Sequence, residues 1–106
     1  MFNEKFERYG NKEEALISEK YNRLFPRPRH EKQPKWIAEV AVVNPRALGK
    51  RKNYTHKMEI ETSPNMRKWL KLFEIKPHNE PGRYAIPANR LDEFNNKVIS
   101  ITSQKR

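Results

Sequence analysis

The chain has 106 residues, a formal net charge of +10 and no cysteine, with 35% of its residues apolar and 34% charged. That is the size of one small domain with a modest core. The absence of Cys excludes disulfides, thiolate zinc sites and cysteine nucleophiles, and no apolar run approaches the ~20 residues that cross a bilayer.

The start, Met1-Phe-Asn-Glu-Lys-Phe-Glu-Arg8, lacks the apolar centre of a signal peptide, so a soluble, cytoplasmic protein is expected, in the host cytoplasm if the source is viral. Asn11 followed by Glu14 resembles a capping box and predicts a helix start. Leu16, Ile17, Tyr21, Leu24 and Phe25 then recur at helical spacing, and Phe2, Phe6 and Tyr9 would extend their stripe. Residues 1–25 are therefore expected to form a separate amphipathic helix. Residues 26–35, Pro26-Arg-Pro-Arg-His-Glu-Lys-Gln-Pro-Lys35, carry three prolines in ten positions, which remove amide donors and hold the chain extended. This is an arm, suited to tracking a phosphate backbone or to serving as a hydrated connector.

Residues 36–102 read as the main domain. Trp36 to Val43 is rich in β-branched residues and predicts a strand, and Tyr54 to Glu61 alternates apolar with polar, the mark of a half-buried strand. Together they suggest an antiparallel hairpin with a long basic tip. Residues 64–73 fit two periods. Met66, Trp69, Leu70 and Phe73 have helical spacing after Ser63-Pro64, yet Trp69, Lys71, Phe73 and Ile75 also alternate with their neighbours, and the turn cluster Pro77-His-Asn-Glu-Pro-Gly82 favours the strand. Arg83 to Ile86 is a short strand. A closing helix starts at Asn89, with Leu91, Phe94, Val98 and Ile101 as its apolar stripe. The expected fold class is α+β, a small antiparallel sheet of three or four strands under a C-terminal helix, with a separate N-terminal helix joined by the Pro/Arg-rich arm.

The run Pro81-Gly-Arg-Tyr-Ala-Ile-Pro-Ala-Asn-Arg-Leu-Asp-Glu-Phe94 resembles the end of the PC4-like and Pur-like single-stranded nucleic-acid-binding domains. There a basic glycine turn leads into a short strand and then a helix. The similarity covers about 25 residues, with topological agreement over residues 36–76. It implies a curved sheet that binds single-stranded nucleic acid and, for one copy of the unit, a homodimer.

The charge points the same way. Between Pro26 and Lys57 nine Lys and Arg face only Glu31 and Glu39, a net +7, whereas residues 1–25 are neutral and residues 58–106 carry +3. So concentrated an excess attracts polyanions, although a lysine-rich surface also serves solubility. Phosphate-binding residues nominated on this basis are Arg27, Arg29, Lys35, Arg46, Lys50, Arg51, Lys52 and Lys57. On the strand alternative Lys71 joins them, and Arg83 follows from the glycine turn. Trp36, Tyr54 and Trp69 are the stacking residues, although a chain poor in aliphatic residues also needs its tryptophans in the core, the reading favoured for each taken singly.

His30, His56 and His78 show no ligand spacing, and Ser63, Ser100 and the acidic pairs form no catalytic motif. No metal, no cofactor and no enzymatic activity are expected. The function that follows is non-catalytic binding of single-stranded DNA or RNA with low sequence specificity. The alternative is a small phage- or plasmid-type accessory protein that binds a host protein through the N-terminal helix or forms part of a particle. No membrane association is expected, because the first helix is charge-neutral.

Overall fold

In the computed structural model, which describes residues 2–49 and 52–106, the chain's first segment is a strand. Phe2, Phe6 and Tyr9 have helical spacing, yet β1 (Glu4–Gly10) is extended and buries Phe6 completely. Gly10 ends it where a Cβ would lie 2.6 Å from a Glu14 carboxylate oxygen, so that a larger residue would displace the Glu14 and Met58 side chains. Asn11 then caps α1 (Lys12–Tyr21) by accepting the Glu14 N–H at 2.8 Å. The apolar stripe expected of this helix is not its buried face. Ala15 and Ser18 are buried against the sheet, while Leu16, Ile17 and Tyr21 are exposed. Small side chains let the helix approach closely, and Leu24 enters the core only after α1 ends at Asn22 in the left-handed region.

Residues 22–34, which take in most of the stretch 26–35 read as an arm, are irregular and tightened by a turn that brings Arg27 to His30, while Lys35 belongs to the next strand. Then follow β2 (Lys35–Glu39), α2 (Pro45–Leu48), β3 (His56–Thr62), α3 (Met66–Leu70), β4 (Glu74–Ile75), β5 (Arg83–Ile86), α4 (Leu91–Asn96) and β6 (Val98–Lys105). They form one antiparallel sheet in the order β4-β5-β2-β1-β3-β6. The class is α+β, with six strands and four helices among the described residues rather than three or four strands with a C-terminal and a separate N-terminal helix.

Three further expectations change. The hairpin of β2 with β3 does not form, because β1 lies between them and pairs with both. Residues 66–70 are helical, since burying Met66 and Leu70, four residues apart, on one side outweighs the alternation. The closing helix is shorter than expected: Leu91 and Phe94 anchor α4, but Val98 and Ile101 belong to β6, in a run of β-branched residues that favours a strand.

Successive strand residues face opposite sides, so the pairing divides the sheet into two surfaces. On one, Phe6, Ile37, Met58, Ile60, Tyr84, Ile86 and Ile101 meet Ala15, Leu24, Met66, Leu70, Leu91 and Phe94 in the core. Asn95 fixes the arm to this layer, donating to the Leu24 carbonyl and accepting its N–H, both at 2.8 Å. The sheet edges differ: β4 has two residues, and on the longer β6 the Ile101 N–H is taken by the Asn22 side chain at 3.0 Å.

Candidate nucleic-acid interface

The opposite surface carries Trp36 and Ala38 from β2, Glu7 and Tyr9 from β1, and Arg83 and Ala85 from β5. It is roofed only in part. The arm supplies one wall through Arg27, His30 and Gln33. The segment after β2 supplies the other through Val43, Leu48 and Tyr54, leaving a half-open groove of about 410 Å³.

The two walls are positioned differently. After β2 the chain turns at Ala41, whose φ of 67° is unusual for a residue with a Cβ. The turn is held by the buried Glu7 carboxylate, which accepts the Ala41 N–H at 3.3 Å and the Lys57 ammonium at 3.1 Å. Asn44 caps α2 by accepting the Arg46 N–H at 3.0 Å. Arg106 then closes the segment: its guanidinium donates to the carbonyls of Pro45, Gly49 and Tyr54, and its backbone N–H to Thr55. This clamp has no sequence signal, because a Lys-Arg pair after a strand reads as surface charge.

Five of the residues nominated from sequence therefore border one groove: Arg27, Lys35, Trp36, Tyr54 and Arg83. Trp36 is 54% exposed. Arg83 donates from Nη2 to Glu80 at 3.3 Å, but its Nε–H is enclosed and meets no acceptor among the described residues. Arg29 is exposed on the arm and Arg46 on α2, and with Arg27 they make no ion pair among the described residues. Lys50 and Arg51 lie outside the described residues. For Lys52 only the backbone is described, in a 3-10 turn leading to Tyr54.

The ammonium groups of Lys35, Lys57 and Lys71 are engaged in ion pairs, although Lys35 also borders the groove. The Lys35 ammonium points to the core side, 3.3 Å from Glu14, which also binds Arg8 at 2.6 Å. Burial, reinforced by Arg8, pushes the Lys35 pKa below its ordinary value. Burial raises that of Glu14, but Arg8 and Lys35 outweigh it, and the carboxyl stays below the usual carboxylate value. Lys57 is paired with Glu7 and Glu59, and Lys71 with Glu74.

The aromatic and basic row expected of Arg67, Trp69, Lys71 and Phe73 does not form, because these residues lie on α3 and the turn after it, on the core side. Arg67 binds Glu39 and Glu4, and Trp69 packs on Phe73 and Phe94. Glu39 also accepts the Tyr84 hydroxyl at 2.7 Å. Burial and that carboxylate drive the Tyr84 pKa far above its ordinary value.

His30 lines the groove and His56 pairs with Thr55. Among the described residues no group of three or more His, Cys, Asp or Glu could hold a metal ion, and no helix is long and apolar enough to cross a membrane. Comparison with protein-family models, curated proteins and solved structures yields no significant match.

Proposed function

We propose that this chain is a non-catalytic nucleic-acid-binding protein, directed to single-stranded DNA or RNA with low sequence specificity. The observation that carries the reading is the groove on the open face of the sheet. It combines an exposed indole with Arg27, which makes no ion pair among the described residues, inside the segment that holds +7 of the +10 net charge. Cations bind phosphates wherever they occur, and an aromatic platform accepts any base, so this pairing gives affinity without a sequence code.

The test is a titration of labelled single-stranded DNA, duplex DNA and RNA at several salt concentrations. Affinity is expected to fall steeply with salt. Replacing Lys50, Arg51 and Lys52 together by Ala is expected to reduce the log–log slope by about 2, at roughly 0.7 per phosphate contact on a single strand. A triplet variant with unchanged affinity and slope removes the loop from the site, and no binding at low salt removes the reading.

One observation favours a second reading. Leu16, Ile17 and Tyr21 are exposed along α1, as on a helix that docks on a protein. Such a partner would co-purify with the chain and stay bound after nuclease treatment.

A further inference from the structure

We infer that the groove over β2 is a single-nucleotide pocket, in which one unstacked base of a strand lies on the Trp36 indole while its phosphate is held by the Arg83 guanidinium. The inference deepens the reading above and rests on it.

Trp36 stands on an inner strand, paired with a neighbour on each side, so its backbone is fixed. Side chains of this size are normally covered. Here the neighbours toward β5 and along β2 are small: Ala85 is directly opposite in the pairing with β5, and Ala38 is two residues along β2, while Tyr9 of β1 borders the same groove. Two alanines leave the ring open from above, and the surrounding cleft, at about 410 Å³, falls within the ~300–1,000 Å³ typical of small-ligand sites.

The second element is Arg83. It pairs with Ala38, which makes it the diagonal neighbour of Trp36, at a spacing of about 7–8 Å, the reach between a base and its own phosphate. Nη2 already bonds Glu80, which aims the guanidinium; Nε is enclosed, and the remaining N–H groups of the fork are left to a phosphate oxygen of opposite charge. Arg27, on the arm across the groove, faces the same space. In a duplex both faces of each base are stacked, so only an unstacked base can reach the ring.

The probes are a fluorescein-labelled thymidine oligomer, an abasic deoxyribose-phosphate oligomer of equal length, and free thymidine monophosphate as competitor. The base-bearing oligomer is expected to bind the wild-type chain roughly 5- to 150-fold more tightly than the abasic one. That ratio should fall to about one in Trp36→Ala and persist in Trp36→Phe, with thermal unfolding confirming that both variants fold. Arg83→Lys keeps the charge but loses the planar fork of donors, and severalfold weaker binding of the thymidine oligomer is expected. Equal binding of the two oligomers by the wild type, or a ratio untouched by Trp36→Ala, overturns the inference. Competition by the free monophosphate at the same nucleotide concentration as the oligomer makes this a free-nucleotide site and likewise overturns it. If neither oligomer binds at low salt, nucleic-acid binding itself fails, which is a separate result.

Discussion

Trp69 and Trp36 place the same side chain on opposite sides of one sheet. Trp69 lies against Phe73 and Phe94, its ring centroid 5.0 and 6.5 Å from theirs, with the Lys97 ammonium 4.7 Å from its ring and the Arg90 guanidinium at 5.7 Å. Arg90 is in turn bound to Glu93. The aromatic surface there is packed into the edge of the core, and the cations around it lie over the ring. Trp36 lies between two alanines, and no cation stacks on its ring among the described residues. Its neighbouring arginines carry an enclosed donor without an acceptor or no ion pair at all. An aromatic residue beside basic residues is thus a structural unit on one face and an open surface on the other. What separates the two is whether the cations and the ring satisfy each other.

The largest test of this contrast is truncation on each side. Phe94 is fully buried beneath Trp69, and Phe94→Ala is expected to cost ~3–5 kcal/mol in urea unfolding through lost burial and the cavity left behind. Trp36→Ala removes a half-exposed ring from the open face and is expected to cost less than about 1 kcal/mol. Similar losses at the two positions would mean that Trp36 is a core residue and that the open face is not free to bind.

A smaller effect is expected where the two faces meet at Glu14. Its carboxylate joins Arg8 to Lys35 in a partly buried cluster, so Glu14→Gln leaves two enclosed cations without a counter-charge, at an expected cost of ~2–4 kcal/mol. The pH dependence follows from the depressed carboxyl. Its contribution is complete above the unfolded-state value of about 4.3 and is lost as pH falls through the lower folded-state value. Lys35 is also depressed, but as a base, so it contributes in the alkaline range and leaves the acid limb to Glu14. Unfolding free energy measured from pH 7 to pH 3 should therefore decline less in Glu14→Gln than in the wild type. Parallel curves would show that the cluster does not set acid stability.

Local patterns carried part of this architecture. The Asn11 cap, the alternation from His56 to Thr62 and the short strand at Arg83–Ile86 are visible because each is decided within a few residues. β1 was not visible, since Phe2, Phe6 and Tyr9 satisfy a helical period. Only pairing with β3 along its whole length, from Glu4 opposite Thr62 to Gly10 opposite His56, makes the segment a strand. That insertion also abolished the expected hairpin and redistributed the basic residues. Which face Lys35 and Trp36 occupy is a matter of parity along β2, and parity is set by neighbours nearly thirty residues distant in sequence, Phe6 and Glu7. Charge and aromatic content therefore nominated Arg27, Trp36, Tyr54 and Arg83 together, but could not separate them from Lys71 and Trp69, which the fold places on the other side.

The smallest expected effect concerns the wall of the groove. Three carbonyls, of Pro45, Gly49 and Tyr54, converge on the single Arg106 guanidinium. A planar fork can serve several acceptors at once, which one ammonium cannot reproduce, so Arg106→Lys should behave much like Arg106→Ala. Either change is expected to cost ~1–2 kcal/mol locally, the scale of hydrogen bonds to a charged donor, without disturbing the core. Hydrogen exchange can read this directly. The Ala47 and Gly49 amides bond to Asn44 and Arg46 within the clamped segment and should lose about tenfold protection, while the Phe6 and Ile60 amides in the centre of the sheet keep theirs. If protection at Ala47 and Gly49 is unchanged, α2 and its Asn44 cap hold the wall unaided. If the sheet amides loosen as well, the two faces are one cooperative unit, and the contrast between a closed side and an open side does not extend to their stability.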